Sequence, residues 1–304
     1  MDRESIYHKQ VQLLLQLIPF IARHDCFALK GGTAINLFVR NLPRLSVDID
    51  LVFLPVLERE ESLMQIKIAL DAIAQAATSA LPECKVSKSY EDKNDALRLL
   101  VERAGILIKI ELSPVLRGTV YQPHVQPVCE AVEDEFGFAE MSVVAFADLY
   151  AGKICAALDR QHPRDLFDVK FLLDNEGVTE SLRKALLVYI ISHPRPITEL
   201  LQPHFKEISG LYAGEFRNMA EVDVTLNELE DVRKDLVECI NRSLSRAERD
   251  FLISFKKGSP DWQLLGLPGV DQLPAVRWKL HNLANMNKAK HAEALTLLRH
   301  VLHL

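Results

Sequence analysis

The chain has 304 residues, of which 48% are hydrophobic and 26% charged, with a formal net charge of -6. These values are typical of a globular protein with a sizeable core, and the length favours two domains. The apolar runs are too short to span a bilayer and the N-terminal residues lack the build of a signal peptide, so we expect a cytoplasmic protein without a membrane partner. The five cysteines are scattered and never form a Cys-x-x-Cys pair, which argues against a disulfide framework and a zinc site.

Charge is distributed unevenly along the chain. From Arg242 to the end there are ten Lys and Arg residues against five Asp and Glu residues. A basic C-terminal part is suited to a polyanion such as RNA. The alternative is a helical domain whose solvated faces are basic without a nucleic-acid partner.

The N-terminal elements follow from apolar spacing and turn residues. Apolar residues at helical spacing predict a helix over residues 4–24, and a short strand over 26–30 ends at Gly31-Gly32. Thr33 is predicted to cap a short helix that begins at residue 34. The alternating and then continuous apolar pattern of 45–54 predicts a strand that is buried for much of its length.

Further along, a helix is predicted over residues 58–82, and two strands over 96–114 are joined near Ala104-Gly105. A helix over 142–159 has Ser142 as its predicted cap, and another begins near Pro163. Most of the remainder has helical patterning. We therefore predict an α/β (α+β) N-terminal domain over residues 1–175 and a mostly helical C-terminal domain over 176–304.

Three acidic residues lie on predicted strands. Side chains alternate along a strand, so Asp48 and Asp50 share one face. Two neighbouring carboxylates are costly without a cation, and their hard oxygens suit Mg²⁺ or Mn²⁺. Glu111, on a second alternating strand, is a candidate third metal ligand. The alternative for the Asp-x-Asp pair alone is a solvated strand end.

The glycine turn precedes this strand. Gly31 and Gly32 allow close backbone approach to a ligand, and Thr33 opens a helix whose N–H groups can bind phosphate oxygens. The alternative is a tight turn with no ligand. Arg40 and Arg44 either neutralise the acidic strand, contact a nucleotide or lie on the surface. Neither a Walker-type loop nor a hydrolase triad is present.

These motifs together resemble a known family. "GGTAINL" followed by "SVDIDL" is similar to the signature of the polymerase-β-like nucleotidyltransferase superfamily. With "DLYAGKICAALDRQHPRDLFDV" and "PAVRWKLHNL", the chain resembles the AbiEii/AbiGii toxins of type IV toxin–antitoxin and abortive-infection systems. The resemblance implies a nucleotidyltransferase-like fold with a mixed sheet.

The resemblance also implies roles for individual residues. A triphosphate site would be lined by Gly31, Gly32, Thr33 and Ser46. Asp48 and Asp50 would bind the metal, Lys153 would contact the nucleotide phosphates, and Asp165 would be a further active-site acid.

Helical spacing adds to this assignment. Lys153 and Arg160 are two helical turns apart, so they are predicted to form a cationic strip that Arg164 extends toward phosphates. The alternative for Lys153 is a solvated lysine, although its apolar neighbours make an unpaired charge there expensive. Asp165 and Asp168 have the alternative of capping a helix and pairing with Arg164 or Arg160.

The expected function is transfer of a nucleoside monophosphate from an NTP to an acceptor hydroxyl, with Mg²⁺ or Mn²⁺ as cofactor. The resemblance implies the 3′ end of tRNA as acceptor, blocked translation, and a separately encoded antitoxin that need not bind directly. Transfer to a protein or a small molecule, and a non-catalytic binding module with the same fold, are the alternatives.

Overall fold

The chain forms two compact units in the computed structural model, which describes residues 5–93, 95–217 and 219–304. The first unit extends to Ala145 and includes the later residues 219–222. That later segment pairs with the first unit through a backbone hydrogen bond from Leu45 N to the Met219 carbonyl oxygen, 2.8 Å long.

The first unit combines a sheet with helices. Its elements in chain order are α1 (Ile6–Ile21), β1 (Phe27–Lys30), α2 (Gly31–Thr33) continued by π-helical turns (Ala34–Val39), β2 (Asp48–Phe53), α3 (Arg59–Ala80), β3 (Lys85–Lys88), β4 (Arg98–Arg103), β5 (Ile106–Leu112), β6 (His124–Pro127), α4 (Glu130–Phe136) and β7 (Glu140–Val143).

The strands among the described residues make one seven-stranded sheet in the order β3-β4-β5-β2-β1-β7-β6. The pairs β2–β5 and β1–β7 are parallel, and the other neighbours are antiparallel. This confirms the predicted mixed sheet. The predicted connection near Ala104-Gly105 joins β4 to β5, and both residues have the positive φ that such a tight turn needs.

Helix α1 covers part of the sheet, because its apolar residues recur at helical spacing and pack on β5, β7 and α3. Ser5 caps it by accepting a hydrogen bond from His8 N at 3.1 Å. Leu14 and Leu17 are completely buried in this layer.

Two predicted helix caps are wrong. The helix after β1 begins at Gly31, so Thr33 lies inside its first turn and its hydroxyl is used elsewhere, as described below. Ser142 lies in strand β7, and the following helix begins only at Phe146. Ser142 is drawn into β7 by its pairing with β6, which local cap preferences do not encode.

The second unit is helical. Its elements are α5 (Phe146–Asp159), α6 (Pro163–Asn175), α7 (Glu180–Ser192), α8 (Ile197–Leu201), α9 (Ser209–Glu215), α10 (Leu226–Ser243), α11 (Arg246–Lys256), α12 (Trp262–Leu265), a 3₁₀ turn (Val270–Gln272), α13 (Pro274–Ala284) and α14 (Lys288–Val301). Pro163 occupies the first turn of α6 as predicted. Capping boxes at Thr225 and Ser245 begin α10 and α11.

The division between the units comes earlier than the proposed domain boundary near residue 175. Helices α5 and α6 pack with α7 and α10, so they belong to the helical unit. Helical patterning alone does not show whether such helices cover the sheet or one another. None of the helices in the described part of the chain has the length and apolar character needed to cross a bilayer.

We expect Leu17→Ala to lower the free energy of unfolding by about 2–5 kcal/mol, because it removes a fully buried side chain and leaves a cavity. Ile6→Ala on the same helix is the matched control, since Ile6 is 56% exposed and its loss should cost less than about 0.5 kcal/mol. Urea unfolding followed by circular dichroism measures both. Equal effects would contradict the burial of this face of α1.

Candidate active site

Asp48 and Asp50 lie at the start of β2 on one face of the strand, as the alternation predicts. Ile49 and Leu51, which alternate with them, are fully buried on the opposite face, whereas both aspartates are half-buried. The polar face of β2 therefore presents two carboxylates to a partly solvated surface.

Sheet register places further charges beside this pair. One row across strands β4, β5, β2 and β1 consists of Arg98, Glu111, Asp50 and Lys30. In the next row Lys109 is the register partner of Asp48. Because register partners project from the same face of a sheet, acidic and basic side chains gather on one surface. We call Asp48, Asp50, Lys109 and Glu111 the carboxylate face.

The Glu111 carboxylate is paired with two basic side chains, Arg98 and Lys109. Its Oε1 accepts a hydrogen bond from Arg98 Nη2 at 2.7 Å, and Lys109 Nζ lies 3.0 Å from its Oε2. Burial acts to raise the pKa of Glu111, but the hydrogen bonds from Arg98 and Lys109 outweigh it and leave that pKa below its usual range. Lys109 Nζ also lies 3.8 Å from Asp48 Oδ1, so one lysine serves both strands.

This pairing bears on the predicted metal ligands. Within the described residues, no group of three or more His, Cys, Asp and Glu side chains is arranged to hold a metal ion. The three-carboxylate cluster is not assembled, because the Glu111 carboxylate binds Arg98 and Lys109. The oxygen donors of Asp48 and Asp50 suit a divalent cation such as Mg²⁺ or Mn²⁺. The assignment of Glu111 as a third ligand stays a prediction.

Gly31 brings backbone directly against this face. Its φ is +77°, and a Cβ atom placed on it would lie 2.5 Å from Asp50 Oδ2. Glycine is therefore required twice, once for the left-handed backbone and once for the close approach to the carboxylate.

Gly32 makes a similar close approach to two polar side chains. A Cβ atom there would lie 2.8 Å from both Arg44 Nη2 and Ser46 Oγ. Arg44 is only 3% exposed and donates a hydrogen bond from Nη1 to the Leu45 carbonyl oxygen at 2.8 Å. Arg44 is thus a buried neighbour of the glycine turn, and the surface alternative for it is wrong.

Thr33 ties the glycine turn to β2. Its buried hydroxyl donates a hydrogen bond to the Asp48 carbonyl oxygen at 2.5 Å and lies 3.1 Å from Ser46 Oγ. These contacts fix the turn against the strand that carries the aspartates. The structure thus brings together the predicted residues Gly31, Gly32, Thr33, Ser46, Asp48 and Asp50.

A second set of predicted residues forms an ion cluster in the helical unit. Lys153, Asp165 and Asp168 are buried in it, and Arg160 reaches it from an exposed position. Lys153 Nζ donates to Asp165 Oδ1 at 2.8 Å and lies 2.9 Å from Asp168 Oδ2. Lys153 is 7% exposed and both aspartates are almost fully buried, so the solvated alternative for this lysine is wrong.

Arg160 completes the cluster from beyond the end of α5, which closes at Asp159. Its Nε and Nη2 atoms donate to the two oxygens of Asp165 at 2.5 and 2.8 Å. Arg164 lies elsewhere, 3.7 Å from Glu215. The prediction of one strip of three cations is therefore wrong. Lys153 and Arg160 converge on the buried Asp165 carboxylate, and Arg164 lies near Glu215.

Of the alternative for Asp165, the helix cap is wrong, whereas the pairing with Arg160 is confirmed. His162 caps α6 by accepting a hydrogen bond from Arg164 N at 3.1 Å. Burial acts to raise the pKa of Asp165, but the charge of Lys153 and hydrogen bonds from Arg160 and Lys153 outweigh it and hold that pKa well below its usual range.

Sequence reasoning did not assign Lys109, Arg98, Lys30 or a buried position for Arg44. The alternation of "ILIKIEL" does place Lys109 and Glu111 on one face, which was an available signal. The pairing partners of β5 and β2 were not available from the pattern, because register is a property of the assembled sheet.

We expect acid to destabilise the wild type more steeply than an Asp165→Asn variant. Because the folded pKa of Asp165 lies below its ordinary value, its contribution to stability is complete above about pH 5 and is lost as pH falls toward about pH 2. Unfolding by urea at a series of pH values measures the slope for each protein. Identical slopes would show that the Asp165 carboxylate is not stabilised by Lys153 and Arg160.

Comparisons with known proteins show which fold and which family the chain resembles. Among solved structures, the chain is similar to MenT4, a nucleotidyltransferase toxin from Mycobacterium tuberculosis H37Rv, with a TM-score of 0.61 and 12% identity over 98% of this chain and 95% of that chain. No curated protein matches the chain. The family model "Nucleotidyl transferase AbiEii toxin, Type IV TA system" matches residues 12–282. The chain therefore belongs to the AbiEii family of nucleotidyl transferase toxins of type IV toxin–antitoxin systems.

Proposed function

We propose that the protein transfers a nucleoside monophosphate from an NTP to a hydroxyl of an RNA acceptor, with the 3′ end of tRNA as the leading case. The observation that carries this proposal is the same-face pair Asp48 and Asp50, with the backbone of Gly31 packed directly against the Asp50 carboxylate. Blocked translation would follow from modification of the acceptor end.

Asp48 and Asp50 are the residues proposed to hold the catalytic cation. A bound Mg²⁺ or Mn²⁺ would offset the charge of the triphosphate and lower the pKa of the acceptor hydroxyl. Lys109 lies within 3.8 Å of Asp48 and partly neutralises the carboxylate face. It thereby reduces the repulsion between the aspartates before any ligand binds.

The glycine turn is proposed to bind the triphosphate. Gly31 and Gly32 carry no side chain that would shield their backbone, and Ser46 lies beside Gly32. Thr33 holds the turn against β2. This arrangement supports a phosphate contact through backbone N–H groups and the Ser46 hydroxyl.

For the ion cluster of the helical unit we propose that Arg160 and Lys153 have different roles. The side chain of Arg160 is 63% exposed although its guanidinium binds Asp165, so it is suited to contact a nucleotide phosphate. Lys153 is buried against Asp165 and Asp168, and we propose that it supports the nucleotide by fixing Asp165 and hence Arg160. Arg164 is proposed as a further phosphate contact.

RNA as the acceptor is supported by the excess of Lys and Arg after Arg242, since phosphate contacts dominate protein affinity for RNA. As a toxin of a type IV system, the protein is proposed to be counteracted by a separately encoded antitoxin. This counteraction does not require a stable complex between the two proteins.

We expect Asp48→Asn to reduce nucleotide transfer by more than about 100-fold, because loss of a direct metal ligand should exceed the effect of losing an outer partner. The assay incubates the protein with labelled NTPs, Mg²⁺, total tRNA and cell protein. Asp92→Asn, at an exposed turn position, is the matched control and should keep full activity.

The location of the label decides among acceptors. Label in tRNA supports the proposal. Label only in protein or in a small molecule would show the same transfer reaction with a different acceptor and would contradict RNA as the acceptor. Binding of Mn²⁺, measured calorimetrically, should weaken in Asp48→Asn independently of activity. If Asp48→Asn still arrested growth as fully as the wild type, a non-catalytic mode of toxicity would be supported.

We expect Gly31→Ala to reduce the transfer activity at least about tenfold, because the added methyl group would displace the Asp50 carboxylate. Gly105→Ala is the matched control. Gly105 has a similar φ of +74°, but its added methyl group would meet no atom within 4 Å. Both variants carry a backbone strain of about 1–2 kcal/mol at positive φ, so equal activities in the transfer assay would show that the contact with Asp50 is unimportant.

A further inference from the structure

An unusual aromatic pair lies on the solvent-facing side of α13. Trp278 is 56% exposed, and its ring stacks on His281 with centroids 5.6 Å apart and an interplanar angle of 18°. Asn285 continues the same helical stripe, with its Nδ2 3.2 Å from His281 Nε2 and donating to the His281 carbonyl oxygen at 2.9 Å. We call Trp278, His281 and Asn285 the α13 aromatic surface.

Helix α13 is firmly held from its other side. Ala275, Val276 and Leu283 are buried there. Lys279 Nζ donates hydrogen bonds to the carbonyl oxygens at the C-terminal end of α7, at 2.5 Å for His193 and 3.1 Å for Arg195. The aromatic surface is therefore presented by an anchored helix and is not part of a loose segment.

The stretch of chain that carries this surface, between Asp271 and Glu293, is basic. Residues 272–292 contain four Lys or Arg residues and two histidines but no Asp or Glu. Lys279 binds α7, whereas Arg277, Lys288 and Lys290 are exposed. A large exposed aromatic ring on a basic stretch of chain is complementary to a ligand that has flat apolar faces and negative charge.

We propose that the α13 aromatic surface binds unpaired nucleotides of an RNA, with a base stacked on the Trp278–His281 pair and phosphates contacted by Arg277, Lys288 and Lys290. Unpaired bases are favoured because the base faces of a duplex are covered by their neighbours and cannot reach an aromatic ring. The inference rests on the proposed function in taking an RNA acceptor as the partner, and it adds a binding surface for single-stranded nucleotides.

The chain offers a direct optical test, because it has two tryptophans. Trp262 packs against Phe251 and Phe255, so Trp262→Phe should leave Trp278 as the only tryptophan in a folded protein. We expect its fluorescence to be quenched by an RNA hairpin with a short unpaired 3′ tail. A blunt hairpin and a tail of abasic nucleotides should quench it much less.

Affinity gives a second measurement. Trp278→Ala should raise the Kd for the tailed hairpin by about tenfold, the effect expected for loss of one stacked base, and should leave the Kd for the blunt hairpin nearly unchanged. Phe138→Ala is the matched control, because Phe138 is also an exposed aromatic residue, at 61%, and should not change either Kd. Lys288→Gln with Lys290→Gln should weaken both hairpins and lower the salt dependence of binding.

Failure of this inference is distinguishable from failure of the proposed function. Binding measured in an Asp48→Asn background does not depend on catalysis. If the wild type labels tRNA but Trp278→Ala leaves the Kd and the KM for tRNA unchanged, the surface is not an RNA site and the inference is overturned. Quenching by the tailed hairpin without any transfer to RNA would support RNA binding at the α13 aromatic surface and contradict RNA as the acceptor of the nucleotide. If Trp278→Ala instead weakened only a complex with the antitoxin protein, the surface would be a protein-docking site and the inference would be overturned.

Discussion

The parallel pairing of β2 with β5 is the constraint on which the first unit's site depends. It sets Asp48 opposite Lys109 and Asp50 opposite Glu111, so four ionisable side chains share one face of the sheet. Lys109 and Arg98 bind Glu111 at 3.0 and 2.7 Å. Both distances are shorter than the 3.8 Å between Lys109 and Asp48, so Glu111 is paired more tightly than Asp48 is paired with Lys109. The aspartates of β2 are thereby distinguished from Glu111 by their surroundings, although all three are acidic residues on strands.

Backbone geometry gives the same face its second component. The glycine turn approaches Asp50 so closely that even one methyl group at Gly31 would collide with it, and the Thr33 hydroxyl fastens the turn to the Asp48 carbonyl. The contact explains the need for glycine at position 31, because the Asp50 carboxylate occupies the space that a side chain would take. Both the turn and the acidic strand lie within the residues that match the family model of nucleotidyl transferase toxins.

In the helical unit, some charged side chains are buried and a large aromatic side chain is exposed. Lys153, Asp165 and Asp168 are buried, and each of these three side chains has an ion-pair partner, which offsets the cost of desolvation. On α13 the arrangement is reversed, since Trp278 exposes an apolar ring that could have been buried at a gain of about 2 kcal/mol. Ion pairs hold Lys153, Asp165 and Asp168 inside the unit, whereas the stacked pair Trp278 and His281 is exposed on α13.

The sequence by itself determined most strands and helices, the shared face of Asp48 and Asp50, the mixed-sheet class and the family. Local patterns suffice for the strands, the helices and the shared face because alternation and helical spacing act over a few residues. The mixed sheet and the family were implied by the resemblance of the combined motifs to a known family. Only the tertiary structure decided that Glu111 pairs with Arg98 and Lys109, that Arg160 converges with Lys153 on Asp165, and that Ser142 belongs to a strand. Each of these depends on which segments meet across the fold, and the register and packing that bring them together are properties of the whole chain.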